Sequence, residues 1–551
     1  MSNQRGGAQP SKFRFKRDIT VGSIEAETDK QALREAFIDT GDLDTLLDTE
    51  NPRSVVVGRT GTGKSALLLM LQEREERVLR IDPASLAMRY LTNSTILPYL
   101  ARLEVRLTPF YQLLWQHVLV TEVLRHHYHL DDATAQNNWF QRLSFKRDSE
   151  RKKQTLNYYR SFNPAFWQTM DVRVKEITDK VAENIEASLG REKLAAVKAG
   201  ESLESTTRKE VTQRAQEVVN QISLEQIHRG FDLLREEVLT DDQKRYFIVI
   251  DDLDKDWIEL ADSYELIDAL LDSVARLAQL DNIKVVVALR ENIVAALHRR
   301  RHVQAQQREK QRNLFLRLQW SSADLVRLLD ERVRALIHGH YGGPISLDEL
   351  LPAPTKKEQR VARDWMIERT FKRPRDLISF MNAVLTVAAE HGKKTLSWET
   401  LYEAERRYSP TMRDNVEDEW RTNYGGLRTV FDAFHRITDN FTIDDLEDLR
   451  LDGILAEGRM LSESGSRDGT SLPLIAWNII CQRTEARGVW QMLLLDLFRV
   501  SFVGVRLGPS EPIVFSYDRP DIVLDEAPVD ARWFIHPAFY EVLKVQGRTK
   551  G

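Results

Sequence analysis

One short glycine-rich segment limits the possible folds of this chain more than any other feature. Residues 58–65 read Gly-Arg-Thr-Gly-Thr-Gly-Lys-Ser; they follow the β-branched run RSVVV and precede the helix-forming run ALLLMLQERE. Glycines let the backbone curl so that its N–H groups face a phosphate, and the N-terminus of the following helix adds a positive dipole. The complete pattern G-x-x-x-x-G-K-[S/T] between a strand and a helix therefore predicts a phosphate-binding P-loop in an α/β fold.

The side chains of this segment predict a nucleotide as the ligand. The Lys64 ammonium can reach β- and γ-phosphates, and the Ser65 hydroxyl can bind Mg²⁺. We therefore expect ATP and Mg²⁺ as cofactors. The residues expected to bind them are Gly58, Arg59, Thr60, Gly61, Thr62, Gly63, Lys64, Ser65 and Ala66.

A second apolar run, YFIVI, ends in the acidic sequence DDLD at residues 251–254. Because ligands bind at the carboxyl ends of the strands in an open α/β sheet, these carboxylates are expected at the nucleotide. Asp251 is predicted to hold Mg²⁺, and Asp252 to orient or deprotonate the attacking water, with Asp254 as a further candidate. The alternative is that the acids only end a strand and cap a helix.

Two arginines are candidates for contacting the γ-phosphate, because a planar guanidinium matches phosphate oxygens. Arg290 follows the predicted strand 283–289, and Arg375 lies at a helix start that Pro374 favours. The alternatives are a surface arginine at the first position and a plain N-terminal cap at the second.

Composition excludes several classes of protein. The chain has 551 residues, enough for about three or four domains. Its formal net charge is −5, which does not fit a protein that coats nucleic acid. A single cysteine, Cys481, excludes an intramolecular disulfide and fits a cytoplasmic setting. No apolar run reaches the roughly 18 residues of a membrane span, so no membrane association is expected.

The order of patterns predicts five segments. They are a flexible tail (1–12), a P-loop ATPase core (13–96 and 240–345), a helical insertion (97–239), a helical lid (346–409) and a C-terminal domain (410–551). The insertion is predicted from apolar residues at helical spacing, Val174, Ile177, Val181, Ile185 and Leu189 among them. In the C-terminal domain, helices precede the short apolar runs VGVRLG and IVFSYD, which predicts a hairpin and a winged-helix-like domain.

The motifs GRTGTGKS, FIVIDDLD, VALREN and KRPRDL, in this order, resemble those of bacterial P-loop ATPases of the STAND/AAA+ superfamily with an IDDLD-type Walker B strand and a PRD-type sensor 2. The resemblance implies an ATP site between the α/β core and a helical lid, a winged-helix region, and assembly or switching controlled by ATP. Many relatives belong to antiphage or stress systems. Motor-type AAA+ proteins place Glu where this chain has Asp252, and the difference favours a slow switch.

The partners are less constrained. Residues 141–160 carry seven basic and two acidic side chains, and residues 297–317 carry seven and one. Such runs can bind nucleic-acid phosphates or form solvated helix faces; by the AAA+ resemblance, Arg308 or Arg312 could also reach the ATP of a neighbouring copy. His126 and His129 have the spacing of a metal pair, but a surface helix fits them better.

Three functions remain open from the sequence. The first is a nucleotide-controlled switch that forms a homo-oligomer and acts with an effector protein, since no nuclease, protease or deaminase signature is present. The second is an AAA+ protein that handles DNA. The third is a module that holds its nucleotide structurally.

Overall fold

The computed structural model describes residues 15–16, 19–23, 28–81, 105–127, 183–184, 186–188, 190, 209, 212–213, 216–217, 231–232, 234–241, 243–251, 253, 263–300, 313–341, 346–446, 448–482, 485–508, 510–519 and 531–547. The chain divides into two compact units. We call residues 41–58 and 67–317 the sheet unit, and residues 1–40, 59–66 and 318–551 the P-loop unit.

The sheet unit is built on five parallel strands in the order β2-β3-β4-β1-β5. Strands rich in Val and Ile suit the centre of a parallel sheet, where both faces are covered. The strands are β1 (Val55–Gly58), β2 (Val78–Ile81), β3 (Tyr246–Ile250), β4 (Ile283–Arg290) and β5 (Phe315–Arg317). The predicted α/β fold with a parallel sheet is therefore confirmed.

The register of this sheet brings three predicted site residues to one edge. Gly58 at the end of β1 lies beside Arg290 at the end of β4. Ile250, the last residue of β3, lies beside Val287 of β4, and Asp251 follows it directly. All of these strands run parallel, so their carboxyl ends form the edge at which ligands bind in such sheets.

Helices pack on the sheet within the same unit. Helix α4 (Thr108–His127) and helix α5 (Ser263–Leu277) are joined by a hydrogen bond from the Trp115 indole to the Leu266 carbonyl (2.9 Å) and one from Gln112 to Asp272 (2.9 Å). The helices that carry residues of this unit are α2 (Asp42–Leu47), α3 (Lys64–Arg74), α4 (Thr108–His127), α5 (Ser263–Leu277) and α6 (Glu291–Arg300).

Helix α4 belongs to the predicted insertion, whereas the apolar residues named from Val174 to Leu189 lie outside the described residues. In the part of the chain that the structure describes, no helix is both long and apolar enough to cross a membrane.

The P-loop unit is mostly helical. Helix α7 begins where the Ser321 hydroxyl accepts a hydrogen bond from the Asp324 N–H (3.1 Å), as an N-cap residue does. The helices up to the end of the predicted lid region are α1 (Lys30–Glu35), α7 (Ser322–Tyr341), α8 (Leu347–Leu350), α9 (Ala362–Ile367), α10 (Pro374–Glu390) and α11 (Trp398–Trp420). Pro374 is the first residue of α10, which confirms the helix start predicted there.

The C-terminal region continues this core with short helices and a small antiparallel sheet. Its strands, in the order β6-β8-β7, are β6 (Asn440–Phe441), β7 (Val503–Arg506) and β8 (Arg532–Ile535). Its helices are α12 (Leu427–Asp432), α13 (Asp452–Glu463), α14 (Leu472–Cys481), α15 (Ala486–Arg499) and α16 (Tyr540–Leu543).

The predicted hairpin was wrong in its second strand. Strand β7 pairs with β8, and the segment IVFSYD contributes only an isolated bridge from Val514 to Val505. Residues 516–518 form a turn, and the Tyr517 hydroxyl is hydrogen-bonded to the His536 ring (3.1 Å). The alternation of apolar residues in IVFSYD therefore reflects packing of a turn, and the strand partner comes from the later run RWFI.

Candidate nucleotide site

The P-loop backbone adopts the curl that its glycines allow. Gly61 has φ +84° and Gly63 has φ +98°, left-handed values that side chains with a Cβ rarely adopt. The carbonyl of Arg59 accepts hydrogen bonds from the Thr62 hydroxyl (2.9 Å) and the Lys64 ammonium (3.1 Å). The Thr62 and Lys64 side chains of the loop are thus both bound to the backbone of its second residue, Arg59.

Arg375 covers the P-loop from the first turn of α10. Its backbone N–H donates to the Gly61 carbonyl (3.3 Å). A Cβ built on Gly61 would lie 2.6 Å from the Cβ of Arg375, well inside contact distance. The structure therefore places this predicted γ-phosphate residue directly on the loop, and only glycine fits beneath it.

A tryptophan supports the other side of the loop. The Trp320 indole N–H donates to the Thr62 carbonyl (2.9 Å), and its ring lies 3.9 Å from where a Cβ on Gly63 would be. A hydrogen-bonded aromatic ring gives the curved backbone a rigid neighbour. No sequence pattern pointed to Trp320.

Arg59 was predicted to bind phosphate, yet its side chain is buried in the P-loop unit. Its guanidinium donates to the Ser501 hydroxyl (2.9 Å) and the Val500 carbonyl (3.3 Å), and lies 4.8 Å from the centre of the Phe371 ring. The guanidinium is therefore bound to the C-terminal region. Arg59 would therefore contact a phosphate through its backbone and not through its side chain.

Two arginines and two carboxylates form a buried cluster around the start of the loop. The Glu419 carboxylate accepts hydrogen bonds from the Thr60 N–H (2.9 Å), from Arg373 (2.9 Å) and, more weakly, from Arg59 (3.4 Å). Arg373 also donates to the Thr60 carbonyl (2.8 Å) and to Asp376 (2.8 Å). Both polar backbone groups of Thr60 are thus held by side chains of one charged cluster.

The pKa values show how strongly these charges depend on one another. Burial alone would raise the pKa of Glu419, but Arg59 and Arg373 outweigh it and lower the pKa to about 2. Burial lowers the pKa of Arg59, although Glu419 opposes the effect. Burial also opposes the charge on Arg373, yet Asp376 and Glu419 raise its pKa. Glu419 therefore stays ionised between its arginines at neutral pH.

At the edge of the sheet, the structure describes Asp251 and Arg290 among the predicted site residues. Asp251 is buried and Arg290 is half-buried. The following residue, Glu291, forms an ion pair with Arg317 at the end of β5. Asp252 and Asp254 lie outside the described residues, as do Arg308 and Arg312, so their predicted roles stay predictions.

The residues present fit a magnesium nucleotide. The Ser65 hydroxyl and the Asp251 carboxylate are oxygen donors of the kind that Mg²⁺ prefers. The glycine backbone between Gly61 and Gly63 provides the curl that phosphates require, and Lys64 supplies a positive charge.

The structure does not describe both histidines of the predicted metal pair. His129 lies outside the described residues, and the ring of the neighbouring His127 is hydrogen-bonded to the Tyr246 hydroxyl (2.8 Å).

Glu419 is the residue of this site that sequence reasoning missed. It lies on the buried side of α11, in line with Met412 and Val416, four residues apart. An acidic residue that continues an apolar stripe needs a buried partner. The acidic residue in this apolar stripe could have been noticed in the sequence, although the sequence does not identify the basic residue that pairs with it.

Two protein-family models match parts of this chain. Residues 44–317 match the KAP family P-loop domain, and residues 323–417 match the FunZ-associated C-terminal helical domain. The chain is 23% identical over 541 residues to the "Putative transposon gamma-delta 80.3 kDa protein" of Escherichia coli (strain K12). That alignment covers 94% of this chain and 66% of the relative, so the chain spans less than two thirds of the relative's length. Together with the parallel sheet and the P-loop, these matches identify this protein as a P-loop NTPase with an α/β NTPase domain similar to that of the KAP family.

Proposed function

We propose that this P-loop NTPase is a slow, Mg²⁺-dependent ATPase that acts as a nucleotide-controlled switch. The observation that carries the proposal is the contact between the P-loop and the first turn of α10, where Arg375 covers Gly61. A loop that binds phosphate and touches a helix of the lid region can pass a change in the nucleotide to that helix. A P-loop that only held a structural nucleotide would not need this contact.

The roles of the residues follow from their chemistry. Lys64 binds the β- and γ-phosphates, and Ser65 and Asp251 hold Mg²⁺, which when bound neutralises charge on the phosphates. The Asp252 carboxylate orients the attacking water and accepts its proton. Arg290 and Arg375 contact the γ-phosphate, which ADP lacks. Loss of this phosphate then removes a contact with α10, and the lid is released.

Binding and turnover of ATP by the full chain test this proposal. Lys64→Ala should weaken ATP binding by about a hundredfold, because no other P-loop side chain except the buried Arg59 carries a full positive charge. Asp252→Asn should retain binding and lose turnover by about 10²-fold or more, because an amide cannot accept the proton. Lys393→Ala, at an exposed lysine, is the matched control. Wild-type binding by Lys64→Ala, or wild-type turnover by Asp252→Asn, would contradict the assignment.

We further propose that the switch serves a bacterial defence system as a homo-oligomer with a separate effector protein. The support is the resemblance of its motifs to STAND/AAA+ ATPases and the lack of a recognisable effector signature in the sequence. Cells that express the chain with its neighbouring genes should resist phage infection, and Lys64→Ala should remove the resistance. Equal plaque counts with the wild type and the variant would contradict a role for the nucleotide in defence.

A second candidate is an ATPase that handles DNA. It is favoured by the name of the relative, which refers to a transposon, and by the predicted winged-helix-like arrangement of helices and a small sheet. In this case duplex DNA should raise ATP turnover, and the increase should fall steeply between two salt concentrations, because phosphate contacts release counterions. ATP turnover that does not change with DNA at either salt concentration would contradict the DNA-handling function and favour the nucleotide-controlled switch.

A further inference from the structure

The buried charged cluster connects the P-loop with a strained turn in the C-terminal region. Arg59 reaches the turn through the Val500 carbonyl and the Ser501 hydroxyl. Ser501 is fully buried and has φ +63°, a left-handed value that residues other than glycine rarely adopt. Its hydroxyl is also hydrogen-bonded to Ser516 (2.6 Å). Strand β7 starts two residues later, at Val503.

Glu419 links the same cluster to the P-loop backbone. One of its oxygens accepts the Thr60 N–H, and the other accepts Arg373 and Arg59. Thr60 directly precedes Gly61, the residue that Arg375 covers. Fixing the Thr60 peptide therefore fixes the entry to the curl that receives the phosphates.

We propose that Glu419 is a positioning residue for nucleotide binding, and that the pair Arg59–Glu419 carries the nucleotide state of the P-loop to the turn at Val500 and Ser501. The inference rests on the proposed function, because it concerns the same nucleotide site. In this proposal the contacts around the start of β7 change with the nucleotide that is bound at the P-loop.

The physical basis is the geometry of buried charge. A buried guanidinium must keep its carboxylate partner, so Arg59 and Glu419 move together when the P-loop moves. A nucleotide that binds more tightly when Glu419 holds the loop must, by reciprocity, strengthen the contacts that Glu419 and Arg59 make. The Val500 carbonyl and the Ser501 hydroxyl are among those contacts.

The same helix offers a matched control. Glu405 is also buried and accepts a hydrogen bond from a buried arginine, Arg369 (2.6 Å), which also donates to the Trp365 carbonyl. Glu405 and Glu419 are 14 positions apart on helix α11, a distance of about 21 Å along the axis. Both pairs contribute to the stability of the P-loop unit, but the carboxylate that accepts the Thr60 N–H is that of Glu419.

The experiment compares Glu419→Gln with Glu405→Gln in the full chain, using a fluorescent, non-hydrolysable ATP analogue. We expect both variants to melt at lower temperature. Glu419→Gln should weaken binding of the analogue by about tenfold and Glu405→Gln by less than about twofold, because only the first loosens the loop. Glu419→Asp, which keeps the charge, should restore part of the affinity.

Hydrogen exchange tests the transmission and does not depend on Glu419→Gln folding. The analogue should slow amide exchange in residues 499–506 of the wild type by about tenfold, and Arg59→Met should remove this effect while Arg373 still pairs with Glu419. If the wild type binds the analogue and its exchange at residues 499–506 is unchanged, this inference is wrong. It is also wrong if a folded Glu419→Gln binds as tightly as the wild type. A wild type that binds no ATP would overturn the proposed function, and this inference with it.

Discussion

The two units of this protein are stabilised in different ways. The sheet unit has a core of apolar strands, in which residues 55–57 and 285–289 are all buried. The P-loop unit also has an apolar core, but it buries pairs of opposite charge within it, such as Arg59 with Glu419 and Arg369 with Glu405. Apolar contact is non-directional, whereas a buried ion pair requires one geometry. The loop that must adopt one conformation is therefore held by charges.

The difference is clearest in the surroundings of the loop. Thr60 is hydrogen-bonded through both its N–H and its carbonyl to the charged cluster. Arg332 and Asp29 form a further buried pair in the same unit (2.7 Å). Removing one member of such a pair leaves an uncompensated buried charge, which typically costs 3–5 kcal/mol. The P-loop unit should thus respond to pH and to small substitutions more sharply than the sheet unit.

Acid provides the largest test of this contrast. The pKa of Glu419 is about 2 in the folded protein and 4.5 ordinarily, so its stabilising effect is fully present above pH 4.5 and is lost as the pH falls towards 2. The shift corresponds to about 3 kcal/mol of unfolding free energy. Among the described carboxyl groups of the sheet unit, Asp241 has a lowered pKa because Lys244 and the Gln243 N–H donate hydrogen bonds to it. This side chain is partly exposed to solvent and therefore contributes little to stability.

Urea unfolding followed by pulsed hydrogen exchange can separate the two units between pH 5 and pH 2.5. Peptides of α11 should lose protection at progressively lower urea concentration as the pH falls, whereas peptides of β4 should change less. Glu419→Gln is the control, because it should remove this part of the pH dependence. Parallel loss of protection in both units, with no effect of Glu419→Gln, would show that the cluster does not set the acid sensitivity.

The contrast also explains what the sequence could and could not predict. Strands β1, β3 and β4 of the sheet unit were identifiable because each contains a continuous run of apolar residues, and the P-loop was identifiable because its pattern is local. The charged cluster was not identifiable, since Arg59 and Glu419 are 360 residues apart in sequence. The P-loop pattern correctly marked Arg59 as part of the loop, but a pattern cannot give the direction of a side chain.

The lid region shows an intermediate case. Pro374 predicted the start of α10, and Arg375 was expected to point from that start to a ligand. The structure places Arg375 on Gly61 of the P-loop, and its contact with a ligand stays a prediction, while the neighbouring Arg373 provides the buried charge. Both arginines lie in the same motif, and only the packing around them distinguishes their environments.

Two glycines of the P-loop allow a test of the contact with α10. Gly61→Ala and Gly63→Ala both place a Cβ at a left-handed φ. The new methyl group at Gly61 also overlaps Arg375 at 2.6 Å, whereas at Gly63 the nearest atom, in Trp320, lies at 3.9 Å. Gly61→Ala should therefore destabilise the nucleotide-free protein by about 1–3 kcal/mol more than Gly63→Ala.

Thermal or urea unfolding of the two variants measures this difference. Arg375→Gly should recover most of the additional loss in the Gly61→Ala background, because it removes the atoms that the new methyl group overlaps. The same substitution should not rescue Gly63→Ala. Equal stability of the two alanine variants would mean that α10 does not pack on the loop in solution.

The smallest expected effect lies in the sheet unit, at its one described buried lysine. Lys284 donates hydrogen bonds to the carbonyls of Thr45 (2.8 Å) and Asp48 (2.6 Å), near the end of α2. Burial lowers the pKa of its ammonium to about 8, although Asp48 opposes the effect. The folded state then releases this proton before the unfolded state does, so the sheet unit should gain stability as the pH rises from 8 towards 10.5.

Between pH 7.5 and pH 9 the gain should be about 1 kcal/mol, because this range covers only part of the interval between the two pKa values. Urea unfolding at pH 7.5 and pH 9, read on β4 peptides, measures the gain, and Lys284→Met should show no such gain. The sign is opposite to that of the acid effect: deprotonating Lys284 stabilises the sheet unit, whereas protonating Glu419 destabilises the P-loop unit. A loss of stability in β4 between these pH values, relative to Lys284→Met, would show that the charged ammonium is needed at the end of α2 and that the sheet unit also depends on a buried charge.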